Sequence, residues 1–183
     1  MGDNQHVSAW VLGIDVPAKR GGAWALAEPT GDVRQWGAIV WRADESEQVF
    51  LRRLHDMVAL VRREVRAHAR GDERFWVAVE QPFLYAIAQY VGAVKFIAAH
   101  LNVPCYMITT ASARKLVFGT ARPLPSTAKA MEKKHSRLLY KREVAKRLRR
   151  RGLVPRRPQS PTEHMYDAAL YALAVQRKVA HDN

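Results

Sequence analysis

The chain has 183 residues, 48% of them hydrophobic and 9% aromatic, which suits one domain with a core and excludes an intrinsically disordered composition. Its single cysteine, Cys105, excludes an intrachain disulfide, and no Cys/His cluster has zinc spacing, which suits a reducing cytoplasm. The net charge of +13 is carried unevenly: residues 1–110 hold 12 Lys/Arg and 12 Asp/Glu, whereas residues 111–183 hold 18 against 5.

The start Met1-Gly2-Asp3-Asn4-Gln5-His6 lacks the pattern of a secretory signal. Residues 7–15 read as a strand ending on Asp15. Gly21 and Gly22 mark a turn, residues 23–27 a second strand, Pro29-Thr30-Gly31-Asp32 a hairpin turn, and residues 33–41 a third strand. Ser46 is placed to cap a long helix whose apolar positions Phe50, Leu54, Met57, Val61 and Val65 recur at three- or four-residue steps, ending at Gly71-Asp72. Residues 75–79 form an apolar strand with Glu80 at its end. A helix over 84–101, a strand over 103–108 and a short helix over 111–118 stopped by Gly119 follow. Ser126 or Thr127 would cap a basic helix over about 126–151. The proline-rich stretch 155–161 is a linker, and Thr162 would cap a last helix from Glu163 to about Val179. This order predicts an α/β fold in which one mixed five-stranded sheet is flanked by helices. The hairpin strands are antiparallel and the crossovers add parallel ones. One domain spans residues 1–183.

A neutral half joined to a basic half suggests a scaffold presenting a polyanion-binding face. A basic, solvated helix is the plainer reading, and a membrane surface fits worse because the basic stretch has few large apolar residues. Between residues 84 and 101, Gln89, Lys95 and His100 interrupt an otherwise apolar or small-residue run. Such a helix is expected to bury one side on the sheet and the other against a second subunit, not to span a membrane.

Asp15 and Glu80 each close an apolar strand, and His164 and Asp167 share a face in the first turns of the last helix. Singly each has an ordinary reading: a turn-former, a strand end, an exposed helix start. If the last helix packs near both strand ends, three carboxylates and an imidazole converge, and such a cluster needs cations to neutralise it. Oxygen-rich sites take Mg²⁺ or Mn²⁺, and a pair of ions about 4 Å apart can drive phosphodiester hydrolysis. An imidazole in the set favours Mn²⁺.

The stretches Val11-Leu12-Gly13-Ile14-Asp15, Val79-Glu80-Gln81-Pro82-Phe83 and His164-Met165-Tyr166-Asp167-Ala168-Ala169-Leu170 resemble the three acidic motifs of RuvC-like Holliday junction resolvases, in order and spacing. The resemblance includes Ala113-Arg114-Lys115-Leu116-Val117-Phe118-Gly119, and it implies an RNase H-like fold. It implies a homodimer cutting four-way DNA junctions symmetrically, with Asp15, Glu80, His164 and Asp167 as catalytic and metal-binding residues and two Mg²⁺ or Mn²⁺ ions per site. Phe83 matches an aromatic that members insert into the junction, although a core role is equally open to it. Lys115, Lys129, Lys133 and Lys134 fall where relatives place DNA-contacting bases. The sequence names no helicase partner. Asp15-Val16-Pro17-Ala18 departs from the family's Asp-Pro-Gly pattern. A YqgF-like or other RNase H-like nuclease acting on RNA or replication intermediates, or a non-catalytic nucleic-acid-binding protein, are the alternatives.

Overall fold

The computed structural model describes residues 9–16, 21–69, 74–82, 85–121, 133–155 and 162–181. Three strands come first: β1 (Ala9–Asp15), β2 (Gly22–Ala27) and β3 (Val33–Ile39), each antiparallel to the next. After α1 (Glu47–His68) comes β4 (Arg74–Glu80), which pairs in parallel with β1. After α2 (Tyr85–His100), β5 (Cys105–Ile108) pairs in parallel with β4. Three helices complete the order: α3 (Thr110–Phe118), α4 (Lys133–Arg150) and α5 (Glu163–His181). The sheet runs β3-β2-β1-β4-β5, mixed and five-stranded as the sequence predicts. No helix among the described residues is long and apolar enough to cross a membrane.

The helix ends follow local chemistry. The Ser46 hydroxyl accepts from the Val49 N–H at 3.3 Å to start α1, and Thr109 does the same for α3 through Ser112 at 3.1 Å. Gly119 closes α3 at φ 78°, a conformation that spares any other residue type only at a cost. Two arginines from other elements complete that end: Arg151 donates to the Val117 carbonyl at 2.9 Å, and Arg177 donates to those of Leu116 and Val117 at 3.1 and 2.8 Å.

Several boundaries differ from the sequence expectation. β3 stops at Ile39, because Trp41 leaves the sheet to stack on Phe50 with ring centroids 4.3 Å apart. α1 buries Val58 rather than Met57, which is only half-buried; steps of 4, 4, 3 and 4 from Phe50 keep the stripe on the sheet. α1 ends at His68 with Ala69 as its cap, whereas Gly71 and Asp72 lie outside the described residues. Ser126, Thr127 and most of the linker lie outside them too.

Alternation on β1 decides which face each residue serves. Trp10, Leu12 and Ile14 point toward α1 and α2, in a core with Phe50, Val58, Val91 and Val94. Ala9 and Val11 point the other way, into a core built on α5. α5 is buried almost throughout from Met165 to Gln176, and its alanines let it lie close on the sheet. Gly13 marks the tightest point. A Cβ there would meet the Ala172 nitrogen at 2.8 Å and would come closer still to the Ala168 carbonyl oxygen.

α2 buries Tyr90, Val91, Val94, Ile97 and Ala98 and turns Gln89, Gly92, Lys95 and Ala99 outward. Phe96 is on that outward side, 73% exposed and stacked on His100. The basic segment is tied to aromatic rings: Arg147 and Arg151 lie over Phe118, Arg149 over Tyr166 and Arg114 over Tyr140, at 5.1–5.9 Å.

Candidate active site

The sheet itself brings the first two carboxylates together. β1 and β4 are parallel neighbours with Ile14 opposite Val79, so Asp15 and Glu80 follow at one level on adjacent strands. Asp15 continues the Ala9, Val11, Gly13 face, and Glu80 continues the face of Ala78, so both stand on the α5 side. α5 starts there. His164 and Asp167 are a turn apart, and Asp167 is 7% exposed, as is Asp15.

The contacts join these elements. His164 Nδ1 lies 2.5 Å from Asp15 Oδ2. Lys141, from α4, places its Nζ 3.2 Å from Asp167 Oδ2 and 3.5 Å from Glu163 Oε2. Glu80 Oε1 accepts from the Thr110 hydroxyl at 2.7 Å.

The electrostatics describe a shared negative field. Burial pushes the Asp167 carboxyl up to about 6; Lys141 pulls it down, and the charges of Asp15 and Glu80 push it up again. The hydrogen bond to Asp15 raises the His164 pKa against the opposing effect of burial. Burial depresses Lys141, but Asp167, Asp15 and Glu163 together more than offset it and leave its pKa raised. A lysine and a histidine therefore sit among carboxylates that repel one another.

Oxygen donors from Asp15, Glu80 and Asp167, with one imidazole, have the chemistry that Mg²⁺ or Mn²⁺ takes. The arrangement is not a closed ligand cage: among the described residues no three His, Cys, Asp or Glu side chains are grouped to hold one ion. Asp15 is engaged by His164 and Asp167 by Lys141 instead.

The structure thus brings Asp15, Glu80, His164 and Asp167 to one end of the sheet. Lys115 is exposed on α3, the helix whose first residue touches Glu80. Phe83 and Lys129 lie outside the described residues, and Lys133 and Lys134 open α4 with side chains outside them. Sequence reasoning missed Lys141, Glu163, Thr110 and Tyr171. Glu163 sits one residue before His164 and was legible as a helix-start acid, but nothing in a helix rich in Lys and Arg singles out Lys141.

No protein-family model matches the sequence, and no curated protein sequence matches it. Among solved structures, the chain is similar to RuvC of Thermus thermophilus, with a TM-score of 0.60, 21% identity, and coverage of 90% of this chain and 92% of that one. It is similar also to the same bacterium's RuvC in complex with a Holliday junction substrate, with a TM-score of 0.59, 20% identity, and coverage of 90% and 91%. The chain therefore has the RNase H-like fold of RuvC, as the motifs led one to expect.

Proposed function

On that fold, we propose that the chain is a metal-dependent nuclease that resolves four-way DNA junctions as a homodimer. The observation that carries this reading is the meeting of Asp15, Glu80 and Asp167 at one end of the sheet, beside a lysine delivered by the basic helix α4. Asp167 is buried and its proton affinity is raised further by the charges of Asp15 and Glu80, so the cluster gains from divalent positive charge, and a neighbouring polyanion needs the cationic charge of residues 111–183.

Asp15, Glu80 and Asp167 would hold one or two Mg²⁺ or Mn²⁺ ions, with His164 as a further donor. Bound there, the ions would supply an activated water and stabilise the leaving oxygen. The protein's own part is distinct. The two strand ends fix the spacing of Asp15 and Glu80, and α5 sets Asp167 against them. Lys141 balances the field when no divalent ion is present and is an ammonium within reach of a phosphate oxygen when DNA arrives. For His164 to act as a donor its proton must leave, so the Asp15 contact works against metal at low pH. The partner subunit is proposed to sit on the outward side of α2, around Gly92 and the exposed Phe96.

The test uses synthetic four-way junctions, linear duplex and an RNA–DNA hybrid with Mg²⁺ or Mn²⁺. Symmetric nicking of the junction alone is expected. Asp15→Asn should keep junction binding in a gel shift and lose cleavage by several orders of magnitude, because it removes a charge from the site but leaves the basic face intact. Cleavage of the hybrid instead would move the chain to an RNA-directed nuclease, and no cleavage of any substrate would make it a binding protein.

A further inference from the structure

Thr110 opens α3 where the parallel pairing of β5 with β4 has just placed Ile108 opposite Glu80. Its hydroxyl donates to Glu80 Oε1 at 2.7 Å and lies 3.3 Å from the Tyr171 hydroxyl. A carboxylate only accepts, so the single hydroxyl hydrogen of Thr110 is committed to Glu80, and Tyr171 is left as the donor to Thr110. Tyr171 is on α5 at four residues beyond Asp167, 1% exposed and inside the sheet-facing core. Its ring fills that core, which a phenylalanine would fill as well; the hydroxyl is there to be satisfied, and Thr110 is the partner it has. Burial, then the charges of Asp167, Glu80 and Asp15, hold the phenol far from ionising, so it remains a donor.

We infer that Tyr171 and Thr110 are positioning residues, a relay of two hydrogen bonds from α5 through α3 that fixes Glu80 Oε1 and reserves the other carboxylate oxygen for a divalent cation. The inference rests on the reading of Glu80 as a metal-binding acid. Its physical basis is general: a ligand carboxylate held by an outer partner loses no rotamer freedom on binding, and deleting such partners lowers metal affinity by roughly 10–100-fold. The relay also links α5, which carries His164 and Asp167, to the strand that carries Glu80 by a route that does not pass through the sheet.

Mn²⁺ titration calorimetry on the DNA-free protein tests it, with thermal melts in chelator as the control for folding. Thr110→Val should weaken Mn²⁺ binding about tenfold or more, and Thr110→Ser should restore it, because serine keeps the hydroxyl. Tyr171→Phe keeps the ring in the core and should weaken binding by less, with no added loss when combined with Thr110→Val. It carries the test by itself should the valine variant not fold. If Thr110→Val and Tyr171→Phe bind Mn²⁺ like the wild type while Glu80→Gln loses it, the relay is refuted and the reading of Glu80 stands. If Glu80→Gln itself binds like the wild type, that reading fails and takes the relay with it.

Discussion

Gly13→Ala puts the close approach of α5 to β1 to a direct test. The added methyl group would reach the Ala172 nitrogen at 2.8 Å and press harder on the Ala168 carbonyl oxygen. An ordinary contact for such a carbon is about 3.4 Å or more, so β1 and α5 must part by at least half an ångström or so at this point. Both opposing atoms belong to helix backbone, so no side chain can swing aside. Overpacking of this kind costs about 1–3 kcal/mol, and backbone against backbone places it at the upper end. For a chain of this size 3 kcal/mol lowers the melting temperature by roughly 6–12 °C. The displacement falls two residues from Asp15 and one turn from Asp167, so it also opens the gap that the His164–Asp15 contact spans. Differential scanning calorimetry gives the first quantity and Mn²⁺ affinity of the surviving fold the second. A melting temperature within about 2 °C of the wild type would show that α5 does not lie on β1 as described.

Two titrating groups give further expectations. In chelator, Asp167→Asn should stabilise the fold at pH 7.5 by up to about 3 kcal/mol, the worth of a shift from 3.8 to about 6. The folded chain binds that proton more tightly than the unfolded chain, so the stability it contributes is present below about pH 4 and is lost as pH rises to about 6. Wild type and variant should therefore melt alike at pH 3.8, and a variant less stable at pH 7.5 would contradict the burial cost. Burial raises the Cys105 thiol from 9.0 to about 11. Iodoacetamide at pH 7.5 should alkylate it about 100-fold more slowly in the folded than in the denatured chain, with a rate rising about tenfold per pH unit. Equal rates would place the thiol in open solvent.

Periodicity and turn chemistry make most of the fold legible, because burial on a sheet imposes period two and burial on a helix imposes 3.6. Ser46 and Gly119 are local signals, read within a few residues of where they act. The misreadings share a cause. Trp41 is a good strand residue drawn off by a ring on α1, and Met57 and Val58 straddle one stripe, so tertiary contact rather than propensity decides both. In the site, Asp15, Glu80, His164 and Asp167 were visible because each ends or begins an element. Lys141 was not: it is one cation in an eighteen-residue helix dense with them, and only the approach of α4 to α5 selects it. Thr110 and Tyr171 escape for the same reason, since a hydroxyl at a helix start and a tyrosine in a core look like ordinary packing until the third element is in place.

The arginines laid on aromatic faces change what the net charge means. Arg114, Arg147, Arg149 and Arg151 spend their guanidinium faces on Tyr140, Phe118 and Tyr166, and Arg151 and Arg177 also satisfy carbonyls at the end of α3. Guanidinium groups so engaged are already oriented, so they lose little side-chain freedom when a polyanion approaches. On the proposed reading, these five arginines would meet a polyanion as fixed cations rather than mobile ones, and would fit one backbone curvature better than another.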